Sequence, residues 1–125
     1  MSEELALLRR HFPQAEQHGS WIRIPGYLIL APYWSRESGT VSFEAPTGYP
    51  GNPPYSFYIE GGLRLKVANG VPQNYQEPAA TPFPGIWGKF SWSQDGNWKP
   101  TADVVSGNNL LNFVSTFADR FQEAL

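Results

Sequence analysis

The chain has 125 residues, of which 41% are hydrophobic, 15% aromatic and only 16% charged, a balance that predicts one folded domain over residues 1–125. Its net charge of −2, with nine scattered lysines and arginines, argues against nucleic acid as a partner, and its lack of cysteine excludes disulfides and thiolate chemistry. The longest apolar stretch, Tyr27–Ala31, falls far short of the roughly 18 residues that span a membrane, and the acidic N-terminus does not resemble a signal peptide. A cytoplasmic protein is therefore expected.

The first predicted element is a helix over Glu3–Phe12, with acidic residues in its first turn and Arg9 and Arg10 in its last, as the helix dipole favours. Four strands are predicted next from β-forming residues and alternating polarity, at residues 21–24, 27–31, 40–45 and 55–59. Pro25-Gly26 is interpreted as the turn between the first two. Strands joined in sequence by short connections indicate an antiparallel meander.

Residues 61–96 are predicted to form one long irregular loop, because prolines and glycines recur throughout and oppose a long helix. Its aromatic residues are expected to pack into the core beneath the loop, and an exposed groove is the less favoured alternative. The last predicted element is a helix over Asn108–Leu125, on which large apolar side chains recur every three or four residues, and Ser106, Asn108 or Asn109 can cap it. The predicted fold class is therefore α+β, with an N-terminal helix, a four-stranded antiparallel meander, a long irregular loop and a C-terminal helix.

The two histidines, His11 and His18, lie close to the end of the first predicted helix. They lack the oriented spacing and the carboxylate partners that a metal site built on a histidine pair needs. Both are expected on the surface, and neither a metal nor another cofactor is expected.

Two motifs bracket the predicted loop. Before it, Tyr49-Pro50 is followed closely by Pro53-Pro54, where the prolines fix φ and hold the crossing between two strands rigid. After it comes Trp98-Lys99-Pro100. Together these motifs resemble the Tyr-Pro…Pro-Pro and Trp-x-Pro elements of ubiquitin-conjugating enzymes, and the order of the predicted elements extends the resemblance to nearly the whole chain. The chain is most similar to the divergent bacterial branch of that superfamily, and the resemblance implies a UBC-like fold.

The resemblance also implies a catalytic cysteine shortly before the tryptophan, and here that position falls on Phe90-Ser91. Ser91 is therefore the candidate equivalent of the family cysteine, with Ser93 as the second choice. The family's His-Pro-Asn tripeptide has no counterpart in this chain. A serine hydroxyl needs a base to become a nucleophile, and the nearby carboxylates in sequence are Asp95 and Asp103. Alternatively, the two serines simply alternate with inward-facing rings along a half-buried extended segment.

Three functions remain open from the sequence. The first is a cysteine-free binding variant, or pseudoenzyme, that docks a ubiquitin-like protein or its activating enzyme. In the family the first helix receives the activating enzyme and the back of the sheet receives ubiquitin, so Arg9 and Arg10 are the partner-binding candidates. The second is a conjugating transferase that uses Ser91 or whose cysteine has been replaced. The third is an unrelated aromatic-rich module that binds a carbohydrate or a peptide.

Overall fold

The structure, a computed structural model, describes residues 2–93, 98–101, 103 and 107–123. The elements follow in chain order: helix α1 (Ser2–His11), strands β1 (Glu16–His18), β2 (Trp21–Leu28), β3 (Ser38–Glu44), β4 (Tyr55–Glu60), β5 (Tyr75–Ala79) and β6 (Trp87–Ser93), and helices α2 (Leu110–Ser115) and α3 (Phe117–Gln122). The predicted α+β class is confirmed, with an N-terminal helix, an antiparallel sheet and a C-terminal helical segment.

In the described part of the chain the sheet has six strands in the order β1-β2-β3-β4-β6-β5, so the expected count of four is wrong. Pro25-Gly26 does not separate two strands. It is a bulge inside β2, where the register against β3 shifts between Ile24 and Tyr27 and Gly26 adopts a φ of 68°. Glycine tolerates that left-handed conformation, so the strand bends and continues instead of reversing.

The segment predicted as one long loop also contains two strands. β6 lies inside the sheet between β4 and β5, where Phe90 pairs with Phe57. β5 is an edge strand, the position at which Pro78 is tolerated because one side of the strand has no neighbour to accept an N–H. The prolines of this segment therefore lie in an edge strand and in its turns, and their presence does not exclude strands.

The helices cover one face of the sheet. Phe117 of α3 stacks on Phe57 of β4 with ring centroids 4.0 Å apart, and it also contacts Phe43 of β3. The buried side chains of this face form one cluster that joins the helices to the central strands: Leu8, Ile22, Ile24, Val41, Phe43, Phe57, Ile59, Phe90, Leu110, Phe113, Val114, Phe117 and Phe121. The opposite face of the sheet, which we call the outer face, carries the alternate residues of the same strands.

The C-terminal helix is divided into two short helices at Thr116. Asn109 caps the first of them in a reciprocal capping box with Asn112, as the sequence predicts for one of its three candidate caps. Another of those candidates, Ser106, and the predicted end of the helix at Leu125 lie outside the described residues. In the part of the chain that the structure describes, no helix has the length and apolar character needed to cross a membrane.

Candidate functional site

The two motifs that flank the predicted loop are in contact. The indole Nε1 of Trp98 donates a hydrogen bond to the carbonyl oxygen of Pro50 at 2.6 Å, and the Trp98 ring lies 6.1 Å from the Tyr49 ring between centroids. Pro54 is buried at the corner, whereas Pro53 is exposed. We call residues 48–54, which connect β3 to β4, the Tyr-Pro corner.

The segment that carries Trp98 is fixed in turn to the start of α2. The backbone N–H of Asn108 donates to the carbonyl of Lys99 at 3.0 Å, and the Asn108 side chain accepts from the N–H of Lys99 at 2.7 Å. Pro100 follows and is half-buried. The corner, the tryptophan segment and the C-terminal helices therefore form one connected unit.

A buried carboxyl group in α1 completes this unit. Glu4 is 6% exposed and accepts hydrogen bonds from the Tyr49 hydroxyl and, at 3.1 Å, from the backbone N–H of Leu110. Burial, and then the bond to Glu4, raises the pKa of the Tyr49 phenol. One side chain thus joins α1, the Tyr-Pro corner and α2. In the sequence Glu4 is only an acidic residue in a first helical turn, and nothing marks its long-range contacts.

Ser91 and Ser93 lie on the outer face of β6, where both are exposed. The rings that alternate with them point to the helices: Phe90 is fully buried, and Trp92 donates from Nε1 to the Thr116 hydroxyl at 3.0 Å. The alternation of inward rings and outward hydroxyls is therefore present, and it is the arrangement of an ordinary strand with one covered face.

Nothing in the described part of the chain activates Ser91 as a nucleophile. Its backbone N–H donates to the carbonyl of Asn74 at 2.9 Å, but no described residue hydrogen-bonds its hydroxyl. His18, in the edge strand β1, is four strands away from β6 and its ring nitrogen bonds to Glu16 at 3.0 Å. Asp95 lies outside the described residues. A hydroxyl in this setting has the weak nucleophilicity of any free serine.

The two arginines near the end of α1 differ in what they do. The Nε of Arg9 donates to the carbonyl of Ala15 at 2.9 Å, so this side chain stabilises the turn that leads out of the helix. Arg10 is exposed and forms no ion pair with any residue that the structure describes. Of the two candidates, Arg10 is therefore the one free to meet a partner.

A groove of about 390 Å³ lies between the end of α1 and the bulge of β2, and His11, the residue after Arg10, belongs to its lining. Two exposed leucines line this groove: Leu28 is 63% exposed and Leu30 is 82% exposed. The side chains around the groove are largely apolar: Phe12, Pro13, Pro25, Tyr27, Leu28 and Leu30. Exposed leucines beside an apolar groove are typical of an interaction surface.

The surface around the two leucines is also basic. His11 lines the groove on one side of Leu30, and Arg36 and Lys66 line a neighbouring pocket on the other, where Glu37 is the acidic lining residue. We call the groove, the two leucines, Arg36 and Lys66 the α1–β2 surface. Its charge complements a partner that carries acidic side chains around an apolar centre.

Both histidines are exposed, as predicted. Within the described ranges, no group of three or more histidine, aspartate or glutamate side chains is arranged to hold a metal ion. Comparison of the chain with protein-family models, with curated proteins and with solved structures finds no match. Any functional assignment therefore depends on the motifs and on the geometry above.

Proposed function

We propose that this protein is a cysteine-free relative of the ubiquitin-conjugating enzymes that binds the activating enzyme, or the ubiquitin-like protein, of a bacterial conjugation system without accepting a covalent bond. The observation that supports the resemblance most strongly is the hydrogen bond from Trp98 to the carbonyl of Pro50, which joins the two family-like motifs across 48 residues of sequence. The sheet with helices on one face and the rigid corner between β3 and β4 agree with the same family pattern.

The state of Ser91 favours binding over catalysis. A transferase must hold its cargo as a reactive ester, and an oxyester is less reactive toward an amine than a thioester. Ser91 also has no described base beside it; it lies in β6 where the register against β4 shifts between Tyr55 and Phe57, and its N–H donates to the carbonyl of Asn74. These features give the protein a partner-binding scaffold without the chemistry that normally accompanies it.

The α1–β2 surface is the docking site that this proposal favours, and its favoured occupant is the activating enzyme. Leu28 and Leu30 supply exposed apolar area, and Arg10 is an unengaged cation in α1, one residue before His11 of the groove lining. In the family the first helix receives the activating enzyme, so the resemblance and the exposed surface indicate the same region. The outer face of the sheet is the less accessible alternative, because part of it is covered by Phe83, which is only 8% exposed.

A binding titration tests the proposal. A purified bacterial activating enzyme with its ubiquitin-like protein is titrated with wild-type protein, with Arg10→Glu and with Leu30→Ser, at low salt. We expect non-covalent binding to wild type and about tenfold weaker binding to each variant, because a cation or an exposed apolar anchor is lost from the contact. Lys99→Glu makes the same charge change near the Tyr-Pro corner and is the matched control.

Two results would contradict the proposal. One is the absence of any binding by wild type, with binding to a glycan array instead, which would support the carbohydrate-binding module. The other is binding that Arg10→Glu, Leu30→Ser and Lys99→Glu all leave unchanged, which would remove the α1–β2 surface from the account. Arg9→Glu is not used, because Arg9 holds the turn after α1 and its loss would disturb the fold.

A further inference from the structure

A second group of rings lies on the outer face of the sheet, away from the main core. The loop between β5 and β6, residues 80–86, places Phe83 there with only 8% of the residue exposed. The Phe83 ring lies 5.2 Å from the His18 ring, 6.1 Å from Trp21 and 5.7 Å from Trp87, between centroids. The guanidinium carbon of Arg23 lies 4.8 Å from its centroid. We call these four neighbours the Phe83 cage.

The loop contacts β1 and β2 through the side chain of Phe83. Its hydrogen bonds are local or go to neighbouring strands: the N–H of Phe83 donates to the Thr81 hydroxyl, and the N–H of Gly61 donates to the carbonyl of Ile86. Among the residues described, none of the loop's hydrogen bonds reaches β1 or β2. Phe83 can therefore leave its contacts with those strands without breaking a hydrogen bond to them.

Proline lies on both sides of Phe83, at residues 82 and 84. Each fixes its own φ and restricts the residue before it, so the phenylalanine is presented from a stiff segment, which bends over residues 82–85. A stiff segment of this kind loses little conformational entropy when it binds to a surface.

The face next to the cage contains polar groups that the closed loop leaves unpaired. Ser42 pairs with Arg23 across β2 and β3 and is fully buried. Neither the Ser42 hydroxyl nor the Arg23 Nε has a hydrogen-bond partner in the described chain. Buried polar groups normally form hydrogen bonds, so the loop covers this face without supplying a hydrogen-bond partner for either group.

From these observations we propose that the Phe83 cage is a binding site for a partner polypeptide that presents a phenylalanine between prolines, and that residues 81–85 of this chain occupy it as an internal competitor. The seated Phe83 shows the chemistry that the cage accepts: an aromatic ring held by other rings and by the Arg23 cation. Carbonyl groups of an extended partner would also meet the unpaired Arg23 Nε and Ser42 hydroxyl. This inference does not depend on the proposed function.

Residues 81–85 compete strongly with any external segment for the cage, because they belong to the same chain. A tethered competitor acts at an effective concentration of the order of millimolar, so wild-type protein is expected to bind an external segment weakly. Removing the Phe83 ring removes the competitor and leaves the four cage residues in place. The affinity for an external phenylalanine segment should then rise.

The test uses a peptide with the sequence of residues 80–86, blocked at both ends. It is titrated into wild type and into Phe83→Ala, and binding is followed by NMR through the Trp21 indole N–H and the Arg23 Nε–H. We expect Phe83→Ala to bind the peptide at least about tenfold more tightly than wild type. A control peptide with alanine in place of the phenylalanine should not bind, and Trp21→Ala added to Phe83→Ala should abolish binding.

Folding of Phe83→Ala is checked first by the dispersion of its NMR spectrum. If that variant does not fold, Phe83→Leu retains an apolar side chain in the cage and should still bind the peptide more tightly than wild type, because leucine is a poorer ring mimic. The proposal is overturned if a folded variant shows no peptide binding, or if the phenylalanine and alanine peptides bind equally well.

Discussion

The Tyr49 hydroxyl offers the sharpest test of how the chain is held together. It donates to the buried Glu4 carboxyl, which also accepts from the N–H of Leu110 at the start of α2. Tyr49→Phe removes only the hydroxyl and leaves the ring beside Trp98. The Leu110 bond remains, so Glu4 loses one of its two partners while staying 6% exposed.

A hydrogen bond to a carboxylate contributes about 1.5–3 kcal/mol when its loss leaves the partner buried. We therefore expect Tyr49→Phe to lower the free energy of unfolding by about 2 kcal/mol. With a urea m-value of about 2 kcal/mol per molar for a domain of this size, the midpoint should fall by about 1 M. Tyr55→Phe is the matched control, since Tyr55 is 62% exposed, and it should change stability by less than about 0.5 kcal/mol.

A double-mutant cycle assigns the loss to the pair. Glu4→Ala removes the oxygen that accepts from both Tyr49 and Leu110, and the lost Leu110 bond cancels because it is missing from both the single and the double variant, so the cycle isolates the contact with Tyr49. We expect a coupling energy of about 1 kcal/mol or more. If Tyr49→Phe is as stable as Tyr55→Phe, or if the coupling is zero, Glu4 does not join α1 to the Tyr-Pro corner in the way described.

Three further stability predictions can be tested by urea unfolding. The Gly62 N–H and the Tyr75 hydroxyl lower the pKa of Glu77 to about 2. The contribution of ionised Glu77 to the free energy of unfolding is therefore complete above the unfolded pKa near 4.5 and is lost as the pH falls toward 2. Glu77→Gln should remove this pH dependence, which amounts to about 1 kcal/mol after solvent screening. Gly88→Ala should cost about 1–3 kcal/mol, because the added methyl overlaps the Tyr75 hydroxyl, and Tyr75→Ala should relieve that cost. Phe117→Ala should cost about 3–5 kcal/mol, and a smaller loss would contradict its central place in the core.

Local sequence signals were sufficient where the element depends on local physics. The first helix has its acidic and basic ends in the order that the helix dipole favours, and it runs over Ser2–His11, within one residue of the prediction at each end. The cap of α2 is similarly local, because Asn109 bonds only three residues ahead. Neither feature requires knowledge of distant neighbours.

The strands were harder to predict, because whether a segment forms a strand, a bulge or a turn depends on the strands that pair with it. Pro25-Gly26 has the composition of a turn, but β3 pairs with residues on both sides of it, and so it becomes a bulge. Pro78 opposes a strand in general and is tolerated in β5 only because β5 lies at an edge. Sheet order is not visible in either local sequence. β1, with three residues, is too short to show a period.

The candidate site divides in the same way. The Tyr-Pro and Trp-x-Pro motifs are recognisable in the sequence, and the residues that carry them, Tyr49, Pro50 and Trp98, lie together in the structure. Glu4 and Phe83 carry no comparable signal, because each acts through contacts with strands or helices that are remote in sequence. Long-range contacts of single polar or aromatic residues follow from the fold, which pattern reasoning does not supply.

The most direct test of the account is whether this scaffold transfers a ubiquitin-like protein once a thiol is restored. The Ser91→Cys variant is incubated with an activating enzyme, its ubiquitin-like protein and ATP, and the products are separated with and without reductant. We predict non-covalent capture of the activating enzyme by the variant, as by wild type, and no adduct that reductant removes. A reducible adduct on Ser91→Cys that is absent from Ser93→Cys would contradict it and would support the transferase instead.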